Sequence, residues 1–191
     1  MVWIFLGPPG AGKGTQAKLL AEHLGVAHVS TGELLRRAVS AGTDLGKKAG
    51  SYMEQGELVP DGLLLGLVRE ALVGPARNGC ILDGYPRNLA QAEALDRLLP
   101  EVGQRLAGVM DLEVSEQVLV DRIARRARAE GRPDDTEETV RNRLRVYECK
   151  TAPLVAYYRE RGMLTQVPGE GTVEEIQARL QSASALRGAE Q

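Results

Sequence analysis

The stretch WIFLGPPGAGKGTQAKLL, Trp3 to Leu20, decides the fold. Together with Val2, its first residues make a β-rich run to Leu6 that does not alternate, as a parallel strand covered on both faces requires. Glycines follow at 7, 10, 12 and 14. Thr15 to Leu24 then carries Ala17, Leu20, Ala21 and Leu24 at helical spacing, with Gly25 as a stop. A turn with so few side chains between a strand and a helix suits a phosphate: backbone N–H groups can converge on the anion, and the helix aims its own N-terminal N–H groups at it. Lys13 adds a mobile positive charge able to follow a phosphoryl group in transfer. The spacing approaches G-x-x-x-x-G-K-[ST]; Gly7, Gly12 and Lys13 fit, but Gly14 holds the last position and the hydroxyl arrives one later, at Thr15. Two other readings compete. One is a plain glycine-rich turn with its lysine in water; the other is the dinucleotide pattern G-x-G-x-x-G, which Lys13 interrupts and whose third glycine would fall at 15 rather than 14.

Outward from this stretch, strands and helices alternate. Val26–Val29 reads as a second strand or its approach, and Ser30 or Thr31 can cap a helix from Gly32 to Ser40. Ala41 to Pro60, punctuated by Gly42, Gly46, Gly50 and Gly56, reads as short helices joined by turns. A helix from Asp61 to Leu72 follows, with Asp61 as its cap. Cys80–Leu82 is a brief apolar strand with Asp83 at its carboxyl end, and Leu89–Leu98 is a helix. Leu106–Val114 is the fourth strand, and Ser115 caps a helix that turns Val118, Leu119 and Ile123 inward. A long helix runs from Thr136 to about Lys150, and Pro153 opens another, Leu154–Glu160. The fifth strand lies in MLTQVPG, and Thr172–Ala183 closes the chain with Val173, Ile176 and Leu180 on one face, leaving a frayed tail beyond Leu186. This order predicts an α/β fold: a five-stranded parallel sheet with helices on both faces.

The totals narrow the function. The chain has 191 residues, enough for one well-filled core with a small insertion. Lys+Arg 24 against Asp+Glu 26 leaves a net charge of -2, so nothing calls for a nucleic-acid or membrane surface. Val2–Leu6 is too short for a signal or a span and has no basic segment before it, which points to a cytoplasmic protein. Cys80 and Cys149 lack metal-site spacing and read as buried packing residues in a reducing compartment. His23 reads as a helix-end residue and His28 as a packing residue beside a strand, neither as a catalyst.

Two further groups bear on phosphate chemistry. Asp83 stands where an open parallel sheet presents its ligand edge, and a carboxylate there can hold Mg²⁺ through water or cap the next segment. Arg87 offers a planar fork for a pair of phosphate oxygens. Between residues 122 and 145 arginines crowd: Arg122 and Arg126 share a helix face at i, i+4, and Arg132 and Arg143 follow. Interleaved Glu130, Asp134, Asp135, Glu137 and Glu138 cancel the charge and no aromatic stands among them to stack on bases, so a small polyanion fits better than a nucleic acid. Any single arginine here equally suits a solvated face or an ion pair to a neighbouring glutamate.

The residues resemble those of the adenylate kinase family, P-loop nucleoside monophosphate kinases with the loop G-x-P-G-x-G-K-G-T. GPPGAGKGT meets every fixed position, including the Gly14-Thr15 order. STGELLR from Ser30, GELVPD from Gly56, DGYPRNLAQ from Asp83, DRIARR from Asp121, GRPDD from Gly131 and ETVRNRL from Glu138 continue the likeness in the family's order to about Tyr158. The resemblance implies transfer of the γ-phosphoryl group of Mg·ATP to AMP, giving two ADP, by a P-loop domain spanning 1–191. It implies a helical AMP-binding insertion at 30–59 and a short lid at 126–136.

Carried over by position, the resemblance gives the ATP phosphates to Gly10, Ala11, Gly12, Lys13, Gly14 and Thr15, with Arg122 and Arg126, and gives the adenine of ATP to the backbone of Gly171. AMP falls to Thr31, Arg36, Glu57, Leu58, Val59, Gly84, Tyr85, Pro86, Arg87 and Gln91, with Arg132 and Arg143. Lys13, Arg87, Arg122, Arg126, Arg132 and Arg143 are the implied catalytic set, and Thr15 and Asp83 the implied Mg²⁺ holders. Relatives acting on UMP and CMP tend to carry alanine at the position of Thr31 and asparagine at that of Gln91, so both residues imply AMP. The short lid lacks the long hairpin that in some relatives carries zinc, and no cysteine lies between Cys80 and Cys149, so no zinc site is expected. A monomer is implied, with ATP, AMP and ADP as its partners and neither nucleic acid nor membrane. Two rival functions are a nucleotide-binding switch without transfer, which would need no second nucleotide pocket, and a kinase of another monophosphate.

Overall fold

The computed structural model describes residues 1–130 and 136–189, without the side chains of residues 124, 126–130, 188 and 189. The elements run β1 (Val2–Leu6), α1 (Lys13–Leu24), β2 (Ala27–Ser30), α2 (Thr31–Ser40), α3 (Asp44–Gln55), α4 (Asp61–Val73) and β3 (Cys80–Asp83). They continue with α5 (Leu89–Glu101), β4 (Leu106–Glu113), α6 (Glu116–Glu130), α7 (Glu137–Val146), a π turn (Tyr147–Thr151), α8 (Pro153–Glu160), β5 (Leu164–Pro168) and α9 (Val173–Ala189). The five strands form one parallel sheet in the order β2-β3-β1-β4-β5.

The unbroken apolar run of β1 now has its reason. Val2, Ile4 and Leu6 face one core, with Leu82 and Val109 and the side chains of α4, α5 and α8. Trp3 and Phe5 face the other, with Ile81, Met110 and Leu112 and side chains of α1 and α9. Each large apolar side chain so buried stabilises by about 1.5–3 kcal/mol. The strand that leads into the glycine turn is therefore anchored on both faces, at the centre of the sheet. Register sets Phe5 beside Asp83 and Leu6 beside Asp111. From β1 the chain crosses toward β2 and from β4 toward β5, so the connections diverge beside the glycine turn, where parallel sheets open a ligand crevice.

Several boundaries differ from the sequence expectation. Residues 41–60 hold one helix, α3, followed by a non-helical approach to Pro60. Gly46 and Gly50 lie within that helix as packing positions; a Cβ on Gly46 would be driven into the Ala38 carbonyl and to 2.6 Å from the Val39 nitrogen. Asp61 does not cap α4; Pro60 holds that position and the Asp61 carboxylate is engaged with α5. The expected helix from Thr136 ends at Val146, and the backbone widens so that Ala152 N–H reaches Tyr147 O at 2.8 Å. Pro153 explains the widening: it has no N–H to continue the ladder, and its ring crowds the preceding turn. Val173 is exposed while Ile176 and Leu180 are buried. The tail is not frayed at Leu186: α9 extends to Ala189, and Arg187 bonds Thr165 Oγ1 and the carbonyls of Gly162 and Leu164. Cys80 is buried, its thiol pushed up to about 12 by burial, but Cys149 is exposed. Among the described residues no helix is long and apolar enough to cross a membrane.

Candidate functional site

A cleft of about 860 Å³ opens at the carboxyl end of the sheet. One wall is the glycine turn. Gly7, Gly10 and Gly12 have φ of +138°, +86° and +90°, values that side-chain-bearing residues rarely adopt. Space matters too: a Cβ on Gly10 would stand 2.8 Å from Ile123 Cγ1. The turn is thus closed by α6 behind it and delivers the chain into α1 at Lys13 without a side-chain cap, leaving first-turn N–H groups for a ligand. Lys13 Nζ donates to Gly7 O at 2.7 Å and Pro8 O at 2.9 Å, and Arg122 Nη1 donates to Ala11 O at 3.1 Å. Gly10, Ala11, Gly12, Lys13, Gly14, Thr15, Arg122 and Gly171 all line the cleft.

Asp83 ends β3 against this turn; its Oδ2 lies 3.5 Å from where a Cβ on Gly14 would be. Burial would raise the Asp83 pKa, but the His28 imidazole, Lys13 and Arg87 outweigh it and hold the carboxyl below its ordinary range. His28 Nε2 stands 3.6 Å from Asp83 Oδ2, so this histidine is a neighbour of the site and not only a packing residue.

The opposite wall holds the expected acceptor residues. Thr31, Arg36, Glu57, Leu58, Val59, Gly84, Pro86, Arg87 and Arg143 line it. Ser30 caps α2, accepting from Glu33 N–H at 3.4 Å, and so fixes the start of the helix that carries Thr31 and Arg36. Gly84, at φ +80°, lets two side chains converge on its carbonyl: Arg87 Nε donates at 2.8 Å and Thr31 Oγ1 at 2.9 Å. A Cβ there would lie 2.9 Å from Arg87 Nη2 and 3.0 Å from Thr31 Oγ1. Burial depresses the pKa of Arg87, Asp83 opposes the shift, and Arg143 and Arg36 add to it. Cations gathered against their own repulsion around one opening are what a phosphate ligand would relieve.

Two expected acceptor residues do not face the cleft. Tyr85 is buried, its peptide to Pro86 is cis, and its hydroxyl donates to Gln91 O at 3.3 Å. Gln91 is fully buried, with its amide bonded to Asp61 and to the Arg87 N–H. Arg132, with the rest of lid residues 131–135, and the side chain of Arg126 lie outside the described residues.

The sequence reading missed the seam that joins the insertion to α7. Thr139 Oγ1 donates to Glu54 O at 3.0 Å, and Asn142 Nδ2 to Gln55 O at 2.7 Å and Glu57 Oε1 at 3.1 Å. Gly56 permits the approach, since a Cβ there would lie 2.8 Å from Thr139 O. Its position after a helical run was the available signal; its partner, more than eighty residues away, had none. Among the described residues no group of three or more His, Cys, Asp or Glu is arranged to hold a metal ion.

A sequence model of the family described as Adenylate kinase matches residues 5–163. The chain is 58% identical over 180 residues to the adenylate kinase of Thermus thermophilus, covering 94% of this chain and 95% of that protein. It is 52% identical over 181 residues to that of Stenotrophomonas maltophilia, covering 94% and 97%. With that of Thermobifida fusca it shares 50% over 181 residues, covering 94% and 96%.

Proposed function

From the premise that this chain belongs to the adenylate kinase family and catalyses the reversible conversion of ATP and AMP into two ADP, we propose that the two walls of its cleft hold the two nucleotides. The glycine turn, with Lys13, Thr15, Arg122 and Arg126, takes the ATP phosphates, and Gly171 lies against the adenine of ATP. Thr31, Arg36, the 57–59 backbone, Gly84–Arg87 and Gln91 take AMP, with Arg132 and Arg143 on its phosphate. One observation carries this division: a single cleft has a phosphate turn on one side and the Arg36, Arg87 and Arg143 cluster on the other. A nucleotide switch would need only the first.

Adenylate kinases use Mg·ATP. The residues present suit the ion, because Asp83 is buried, held in its anionic form and set against Gly14 beside Thr15. Thr15 and Asp83 would hold Mg²⁺ through its water shell, where it offsets charge on the ATP phosphates. The AMP phosphate is ionised at neutral pH and needs no base to attack the γ-phosphorus in line, so no histidine is recruited. The side chains' work is alignment and charge compensation: Lys13 leaves the Gly7 and Pro8 carbonyls to follow the transferring group, while Arg87, Arg122, Arg126, Arg132 and Arg143 surround it. Segment 30–59 serves the acceptor and 126–136 the donor, and both exclude water when nucleotides are bound.

The test is transfer from Mg·ATP to AMP, CMP, UMP, GMP or no acceptor, scoring diphosphate formed. ADP produced rapidly only with AMP is the expected result. Equal ATP consumption with and without AMP would overturn the two-nucleotide division, and a preference for another monophosphate would overturn the roles of Thr31 and Gln91.

A further inference from the structure

The Gln91 amide is the group proposed to meet the acceptor base, and a role for its neighbour Asp61 in specificity rests on that reading. Gln91 Nε2 donates to Asp61 Oδ1 at 2.6 Å, and Gln91 Oε1 accepts from the Arg87 backbone N–H at 2.7 Å. A carboxylate can only accept and a backbone N–H can only donate. Their chemistry therefore permits one of the two orientations of the amide: NH₂ toward Asp61, oxygen toward Arg87. Rotating it by half a turn would set oxygen against carboxylate and NH₂ against N–H, losing both bonds. Asp61 is itself anchored, for the same Oδ1 accepts from Asn88 Nδ2 at 3.1 Å, while Asn88 Oδ1 accepts from Gln91 N–H at 2.8 Å. The first residue of α4 is thus tied to the start of α5 around this one amide.

A primary amide has two N–H donors and two lone pairs on oxygen. With one of each committed, Gln91 keeps one donor and one acceptor for a ligand, one hydrogen bond behind the cleft-lining Arg87. The Watson–Crick edge of a 6-aminopurine shows an acceptor, N1, beside a donor, the N6 amino group. A 6-oxopurine shows the reverse, N1–H beside O6. An amide held in one orientation satisfies the first edge and meets the second donor to donor and acceptor to acceptor; an amide free to rotate can satisfy either. We propose that Asp61 is a positioning residue for acceptor specificity: together with the Arg87 backbone N–H it fixes the Gln91 amide, and so helps select 6-aminopurine over 6-oxopurine nucleoside monophosphates.

The experiment measures kcat/KM for AMP and for inosine monophosphate at saturating Mg·ATP, with thermal unfolding alongside, in three variants. Asp61→Asn keeps an acceptor oxygen in place, Asp61→Ala removes it, and Asp61→Lys substitutes a donor. The expected result is a parental AMP-to-IMP ratio in Asp61→Asn and a ratio lower by about tenfold in the other two, with IMP gaining in absolute kcat/KM. Ratios within about twofold of parent in Asp61→Ala and Asp61→Lys, or AMP and IMP falling in step, would overturn the inference. A loss in Asp61→Asn as large as in Asp61→Ala would also do so, because charge rather than an acceptor atom would then be at work. Gln91→Leu separates the underlying reading: an unchanged AMP KM removes Gln91 from base recognition and the inference with it. A KM raised about tenfold beside unchanged Asp61 ratios removes the inference alone.

Discussion

Thr151 Oγ1 donates a 2.8 Å hydrogen bond to the carbonyl of Arg87. It ties the π turn between α7 and α8 to the loop that presents the acceptor-side arginine, and Thr151 is itself buried. Thr151→Val keeps the shape and removes the donor, at a cost of about 1 kcal/mol. Arg87 is then held less firmly, and the KM for AMP rises about fivefold while that for ATP stays at the parental value. Steady-state kinetics with each nucleotide varied in turn checks this; equal changes in both KM values would show the bond serves the fold and not the acceptor site.

Gly46 and Gly50 lie one turn apart in α3, yet alanine should act on them with opposite sign. Alanine in a helix interior is ordinarily favoured over glycine by about 1 kcal/mol. At Gly50 the nearest atom to a new Cβ is Val39 Cγ2 at 3.9 Å, so Gly50→Ala gains up to that amount. At Gly46 the Cβ would collide with the backbone at Ala38 and Val39, so Gly46→Ala forces α2 and α3 apart and loses about 2–3 kcal/mol. Urea unfolding of the two variants reads the difference directly.

Asp111 is buried on β4, beside Leu6 in the register. Burial and Glu113 raise its pKa, against Lys13 and Arg159. A carboxyl whose pKa is higher folded than unfolded binds its proton more tightly when folded, so its contribution to stability falls as pH climbs from the ordinary carboxylate range through the raised value. Asp111→Asn removes that penalty. The variant should melt higher than the parent at pH 8, with the gain shrinking as pH is lowered toward 4. A gain independent of pH would mean that packing, not ionisation, sets the difference.

What the sequence made legible was local. The strand, glycine turn and helix from Val2 to Leu24 announce themselves because apolar run, left-handed glycines and helical spacing sit within one short window. The Asp83 and Arg87 positions followed from the end of a short apolar strand. What stayed hidden depends on partners distant in the chain: nothing near Gly46 marks it as the crossing of α2 and α3, and nothing near Asp61 shows that its carboxylate serves Gln91, thirty residues on. The π turn was hidden for another reason. Pro153 signalled a break, but proline fits the first turn of a new helix equally well, and only the packed backbone shows how the two helices are joined.

Lys13 gives the sharpest separation of fold from chemistry. Its ammonium rests on the Gly7 and Pro8 carbonyls, at the mouth of the turn and half-buried in the cleft wall. Lys13→Met keeps the length and apolar stem, so α1 and the sheet should remain and unfolding should shift by no more than about 1–2 kcal/mol for the lost bonds. The transferring phosphoryl group would lose the one cation the turn can move with it, and kcat should fall by about 10²-fold or more, as for other preorganised charges aimed at a transition state. Circular dichroism with thermal melting checks the first half and ADP formation at saturating ATP and AMP checks the second. Near-parental kcat in a folded Lys13→Met enzyme would show that the turn binds phosphate without acting on its transfer, and would move the burden of charge compensation to the arginines across the cleft.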